Sequence, residues 1–169
     1  NVTPYLGGVF GDENEYGETS HISEVVLNAK QSGIIMDYAE VEFLLAEAAE
    51  RSLVGGPGDA EGHYNTAITA SIEYWYASAA TVSADIAASD PTFPIFDLDP
   101  AVDATNYLTN PDVAYTTASG TWKEKIGTQK WIALNNRGFE GWSTYRRLGF
   151  PVLPNTSDAN NPVPRRVNY

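Results

Sequence analysis

Twenty-two carboxylates, two histidines and twenty aromatic rings are the side chains of this 169-residue sequence that could do chemistry. A pair of carboxyl groups facing each other across about 5 to 10 Å, one of them in an apolar setting that raises its pKa, would make acid–base hydrolysis possible. The carboxylates fall instead on solvated helix faces and in loops, and no segment marks such a pair. Gly-x-Ser-x-Gly, a phosphate-cradling glycine loop and His-Glu-x-x-His are all missing. The expectation is a protein with no catalytic residues. His21 and His63 lie too far apart in sequence to suggest a metal site or a catalytic dyad. Asp97, Asp99 and Asp103 are spaced loosely like a calcium loop, but Pro100 interrupts them and the glycine and distal glutamate of such a loop are lacking. Neither a metal nor a cofactor is expected, and with no cysteine there is no disulfide or thiolate site.

Aromatic rings set among polar side chains point to ligand binding by stacking and hydrogen bonding. The best placed are Tyr5, Phe10 and Tyr16, which stand in an irregular opening segment beside Asp12, Glu13 and Asn14. The competing reading is that these rings anchor a long loop. Trp75 and Trp142 fall on the apolar stripes of their helices and are expected in the core, and Trp122 and Trp131 are read as structural too.

A formal charge of −12 with only ten Lys and Arg excludes nucleic acid as a partner, because a phosphate backbone needs a basic face. No stretch approaches the roughly 20 apolar residues that span a bilayer as a helix. The sequence begins at Asn1 without a Met and is taken as a mature or trimmed piece of something longer. Charge is divided along it: residues 1–120 hold 19 acidic and 2 basic residues, net −17, and residues 121–169 hold 3 acidic and 8 basic, net +5. The basic part should therefore fold back on the acidic body, the other reading being a basic docking face.

The elements that must position these residues are helical. Residues 34–53 carry two apolar stripes at helical spacing, one through Met36, Ala39, Phe43, Ala46 and Ala49, the other through Tyr38, Val41, Leu45 and Ala48. Two stripes predict a helix packed between neighbours, with Glu47 and Arg51 paired on the remaining polar strip. Gly55-Gly56-Pro57-Gly58 stops it, Asp59 is a candidate N-cap, and a second helix follows to about residue 80, giving an antiparallel hairpin. Residues 1–33 read as loop with one short extended piece at 25–27, and residues 81–120 as an irregular excursion containing a short helix that starts at Asp99-Pro100 and runs through Leu108. Thr121-Trp122-Lys123-Glu124 is a capping-box pattern opening a helix to about residue 136. Asn135-Asn136-Arg137-Gly138 ends it, and a second helix runs to Gly149 with Phe139, Trp142, Tyr145 and Arg146 on one face. Residues 150–169, rich in proline, should be extended. The fold class is all-α, a single segment divided as 1–33, 34–80, 81–120, 121–149 and 150–169.

Several of these segments resemble one family. Tyr38-Ala39-Glu40-Val41 with Ala46-Glu47-Ala48-Ala49, Tyr64-Asn65-Thr66-Ala67-Ile68 with Ala70-Ser71-Ile72-Glu73-Tyr74-Trp75, and Ile126-Gly127-Thr128-Gln129-Lys130-Trp131 are similar to the C-terminal helices of SusD-like (SusD/RagB) proteins, of the subgroup described as starch-binding and associating with the outer membrane. Glu140-Gly141-Trp142, Arg146-Arg147 and Gly149-Phe150-Pro151 resemble a further signature of that group, with Gly141 in place of its usual Ala, and Pro164-Arg165-Arg166-Val167-Asn168-Tyr169 resembles its terminal motif. The resemblance implies tetratricopeptide-like helix hairpins with long irregular loops, here the C-terminal portion of a longer protein. It also implies a surface-exposed lipoprotein of the bacterial outer membrane, anchored through an N-terminal part outside this chain. Such a protein binds oligosaccharide or polysaccharide and passes it to a SusC-like TonB-dependent transporter. Tyr5, Phe10 and Tyr16 would then be sugar contacts, and one of Arg146 and Arg147 would bond a helix end or a buried carboxylate such as Glu40 or Glu47. The alternative is a helical-repeat scaffold or peptide-binding protein without sugar-binding activity.

Overall fold

The computed structural model describes residues 6–8, 13–22, 24–27, 29, 31–90 and 99–153, and among these every regular element is a helix. In chain order they are α1 (Glu24–Leu27), α2 (Tyr38–Glu50), α3 (Ala60–Ser89), α4 (Pro100–Leu108), α5 (Trp122–Ala133) and α6 (Gly138–Leu148). The fold class is all-α, as the stripes predict. The extended piece expected at 25–27 is instead the single turn α1, and the proline-rich end beyond residue 153 lies outside the described residues.

Each start and stop has a local cause. The helix expected from residue 34 begins at Tyr38, because the Asp37 carboxylate accepts from the Glu40 N–H at 2.8 Å and fixes the first turn. It ends at Arg51, after which Ser52 and Gly55 take positive φ. Asp59 does not cap α3 as expected; its Oδ2 accepts from the Gly56 N–H at 3.1 Å and closes a 3-10 turn at Pro57–Asp59. At 30 residues α3 outruns the expected stop near residue 80. Residues 81–89 contain neither Gly nor Pro, so the first real breaker is Asp90 before Pro91. As expected, Asp99 caps α4 by accepting from the Ala101 and Val102 N–H groups, and Thr121 caps α5. Gly149, at φ +81°, ends α6 in the left-handed conformation.

The hairpin α2–α3 forms the body, α4 packs on α3, α5 packs on α2, and α6 packs on α5 and reaches α2 through the Arg147 side chain. Phe43, Tyr64, Ile68, Val113, Ile126 and Leu148 meet at the centre. The Tyr64 ring packs edge-on to Phe43, and its hydroxyl donates to the Val113 carbonyl at 2.8 Å, so the one polar atom of this large buried ring is satisfied. Gly127 explains itself here: a Cβ at that position would sit 3.1 Å from Phe150 Cβ and 3.2 Å from the Phe150 carbonyl, so glycine lets the chain leaving α6 cross close over α5.

Two packing expectations change. In α2 the stripe Ala39, Phe43, Ala46, Ala49 is buried, but Tyr38 and Val41 of the second stripe are exposed. The helix's other buried flank consists of carboxylates, Glu40 and Glu47, because α5 and α6 bring cations to them. In α6 the expected aromatic face divides: Tyr145 is buried, Trp142 half-buried, and Phe139 is 78% exposed.

Candidate functional site

Of the three aromatic residues singled out as contacts, Tyr5 and Phe10 lie outside the described residues. Tyr16 opens a 3-10 turn at Tyr16–Glu18 and is 75% exposed. One face of its ring stacks on His21, with centroids 3.7 Å apart, and His21 Nε2 lies 2.7 Å from the Tyr16 carbonyl. Leu6 and Ser20 tie the same loop by a backbone bond and a Ser20 hydroxyl bond, each 2.8 Å. The other face of Tyr16 remains open to solvent. His63 is used elsewhere, 2.7 Å from the buried Glu42 carboxylate, where it joins α3 to α2. Asp99 and Asp103 do not converge: the first caps α4, the second accepts from the Tyr76 hydroxyl, and Asp97 lies outside the described residues.

The largest group of charges is built where α2 meets α5 and α6. Arg137 forks, Nη1 donating to Glu40 at 2.9 Å and Nη2 to Asp37 at 2.7 Å. Lys130 Nζ stands 3.5 Å from the other Glu40 oxygen. Arg147 donates to Glu47 Oε1, which also accepts from Arg51 at 2.9 Å. The expected Glu47–Arg51 pair is therefore present, and so is the bond from the Arg146-Arg147 pair to a buried carboxylate. Both carboxylates are about 5% exposed. Burial pushes the Lys130 ammonium below its ordinary pKa, with the Glu40 carboxylate opposing the shift and Arg147 adding to it. With cations and carboxylates bonded to one another, this cluster holds helices together, Glu47 Oε2 alone among its buried oxygens accepting no hydrogen bond from the described residues.

The open chemistry lies on the middle of α3. Tyr74, Trp75 and Tyr76 are consecutive, so at about 100° per residue their rings fan out around the helix and cannot all enter one core. All three are half-buried. Tyr74 and Trp75 pack edge to face at 5.4 Å, forming a ridge with a different hollow on each side. On the Tyr74 side, a hollow of about 260 Å³ is walled by Ser78, Thr81 and Asp85 of α3 and by Gln31 and Ser32 of the segment before α2. The Ser78 hydroxyl donates to the Gln31 side-chain oxygen at 2.9 Å, and the Thr81 hydroxyl donates back to the Ala77 carbonyl. On the Trp75 side, a cleft of similar volume is walled by Phe43, Ile68, Ile72, Tyr107 and Ile132. Its polar groups are largely turned on each other: the Tyr107 hydroxyl donates to Gln129 at 2.9 Å, and the Tyr76 hydroxyl to Asp103. That bond to Asp103 raises the Tyr76 pKa. Trp75 also borders a shallower groove with Trp131, Ile132 and Asn135.

The two hollows suit different occupants. A hydroxyl left unpaired in the apolar cleft costs about 1–3 kcal/mol, and a polyhydroxylated molecule would incur that several times. In the Tyr74 hollow the same hydroxyls meet an amide, two side-chain hydroxyls and a carboxylate beside an aromatic face.

The expectation that Trp75 lies in the core overlooks this region. Trp75 instead walls open hollows, and Trp131 is 40% exposed. The available signal was the run of three adjacent rings, whose fan no single apolar stripe can bury.

The chain is thus an all-α scaffold with half-open rings between helices and polar groups beside one of them. Comparison with known families makes that specific: the chain belongs to the SusD-like family described as starch-binding associating with outer membrane, whose profile matches residues 1–169, the whole chain. No curated protein and no solved structure matches it.

Proposed function

We propose that the protein captures oligosaccharides at the surface of the outer membrane and delivers them to a SusC-like TonB-dependent transporter, as a lipid-anchored component of polysaccharide uptake. Membership of the starch-binding family over the full chain carries this reading. The aromatic ridge of α3, with its polar hollow, supports it as a place where pyranose rings can be met. Tyr5, Phe10 and Tyr16 are proposed as further sugar contacts on the opening loop. Isothermal calorimetry of the protein against a broad panel of oligosaccharides tests the binding half; no heat with any member would sink it. Co-purification of a TonB-dependent transporter from detergent-solubilised outer membranes tests the delivery half.

A second reading, a helical scaffold that engages another protein, is favoured by one observation. Tyr38, Val41 and Leu44 present an exposed apolar line along α2, continued by Ile35 and Met36 before the helix. Capture of a soluble protein, with no transporter and no glycan bound, would select it.

A further inference from the structure

We propose that the hollow between Tyr38 of α2 and His63 of α3 is a sugar subsite in line with the Tyr74 hollow, so that the ligand is an oligosaccharide long enough to reach both. The proposal rests on the glycan-binding reading above and gives it a second contact and a minimum ligand length. Tyr38 and Glu42 face Asp59, His63 and Thr66 across about 480 Å³, within the range of about 300–1,000 Å³ that holds small-molecule ligands. The Tyr38 ring at its edge is 61% exposed.

One buried carboxylate organises the wall. A carboxylate only accepts, so both partners of Glu42 donate to it: the His63 ring through Nδ1–H at 2.7 Å, and the Tyr38 hydroxyl, whose pKa that bond raises. His63 is thereby oriented with Nε2 as its remaining polar atom, a lone pair in the neutral ring and an N–H in the imidazolium, and a sugar hydroxyl pairs with either form. Thr66 spends its hydroxyl hydrogen on the Gly62 carbonyl at 2.8 Å and so meets a ligand with lone pairs. Asp59 Oδ2 accepts from the Gly56 N–H, which leaves Oδ1 for a further donor. Adjacent ring hydroxyls, each able to donate and accept, satisfy such a set, while the apolar face of the same ring lies on Tyr38.

Position sets the length. His63 and Tyr74, and likewise Thr66 and Ala77, are 11 residues apart, about three turns of α3, so the two hollows open on the same face of that helix. At about 1.5 Å per residue they stand about 16 Å apart, more than one or two pyranose rings cover. Between them the face carries Ala70, small and partly exposed, which leaves the path low. A ligand that engages both hollows gains because its second contact is intramolecular once the first has formed.

The test uses the full chain in calorimetry with the disaccharide and the matching heptasaccharide of glucose, mannose, galactose or xylose. For at least one sugar the heptasaccharide should bind tighter than the disaccharide by at least about tenfold. Tyr38→Ala should weaken the heptasaccharide by at least about tenfold, and Tyr38→Phe, which keeps the ring, by less than about threefold. Circular dichroism checks each variant, and if Tyr38→Ala fails to fold, Thr66→Val on the exposed surface of α3 replaces it, with a smaller loss expected. Heptasaccharide binding that survives both Tyr38→Ala and Thr66→Val unchanged would overturn this subsite and leave the glycan-binding reading standing. Equal affinity for the short and the long ligand would overturn the pairing of the two hollows. No binding of any oligosaccharide by the wild-type chain would overturn the reading itself, and the subsite with it.

Discussion

Where α2 meets α5 and α6, cations and carboxylates are turned inward and bonded to one another; along the middle of α3, aromatic rings are turned partly outward beside polar groups. The two flanks invert the usual placement, with charge inside and rings at the surface, and each inversion has a physical reason. Residues 121–149 supply Lys130, Arg137 and Arg147 to an acidic helix, so the charge asymmetry of the chain is consumed in docking one part of it on the other. The rings of α3 are adjacent in sequence and must diverge, so some remain accessible however the core packs. Architecture on one flank rests on electrostatics with little tolerance for removal, and the proposed binding on the other rests on rings that are only half-buried.

That contrast is broken most directly at Arg137. Arg137→Ala leaves the buried Glu40 carboxylate with only the Lys130 cation, at 3.5 Å, and strips Asp37 of its cation while its bond to the Glu40 N–H remains, and removing one member of a buried ion pair costs about 3–5 kcal/mol. Urea unfolding should show a loss of that size. A loss under about 1 kcal/mol would mean that the cluster is not what joins α5 and α6 to α2. The matching control is Tyr74→Ala, whose effect should appear in ligand affinity and leave the unfolding midpoint close to wild type.

A second way to sharpen the comparison is alkaline unfolding, because the buried tyrosines of the core and the lysine of the charged flank respond with opposite sign. Burial raises the pKa of Tyr64 and, with its bond to Glu50, that of Tyr115, above the ordinary 10.0. Their stabilisation is complete below pH 10 and is lost as pH climbs from there toward the folded-state values, since the unfolded chain releases those protons first. Lys130 runs the other way: with its folded pKa lowered from 10.5, the unfolded chain holds the proton longer, and stability gains as pH rises through the interval up to 10.5. Stability measured from pH 8 to 12 should therefore hold or rise slightly, then fall beyond about pH 10. Tyr64→Phe should cost about 1 kcal/mol at pH 7 for the lost bond to Val113 and make the alkaline fall shallower. An unchanged alkaline slope in that variant would assign the fall to other groups.

How much of this was legible in the sequence follows from range. The helix caps Asp37, Asp99 and Thr121, the Gly149 stop and the all-α class depend on neighbours within a turn, and they could be read or nearly read from spacing. Asp59 misled because a 3-10 turn competes for its carboxylate, and α3 runs past its expected end near residue 80 because the sequence offers no breaker before Pro91. The burial of Glu40 and Glu47 follows from the family resemblance and not from spacing, since a carboxylate on a helix reads as solvated until a partner about 100 residues away in sequence arrives. The Tyr74 hollow was hidden for the same reason: its polar wall includes Gln31, 47 residues from Ser78. Long-range pairing decided both flanks, and periodicity carries no record of it.

The smallest expected effect returns to the family resemblance, at the position where Gly141 stands in place of the usual alanine. A Cβ there would lie 3.8 Å from Trp131 and 4.0 Å from Leu134, ordinary contact distances, in contrast to Gly127, where the Phe150 carbonyl at 3.2 Å leaves too little room. Gly141→Ala removes unfolded-chain entropy from the interior of α6 without a clash and should stabilise by about 0.4–1 kcal/mol. Because Trp131 borders the groove shared with Trp75, the added methyl also tests whether that tryptophan is held or adaptable. A gain in melting temperature with unchanged glycan affinity keeps stability on the α5–α6 side separate from binding on α3. A gain accompanied by altered affinity would show that the two flanks communicate through Trp131, and the division between them would have to be redrawn there.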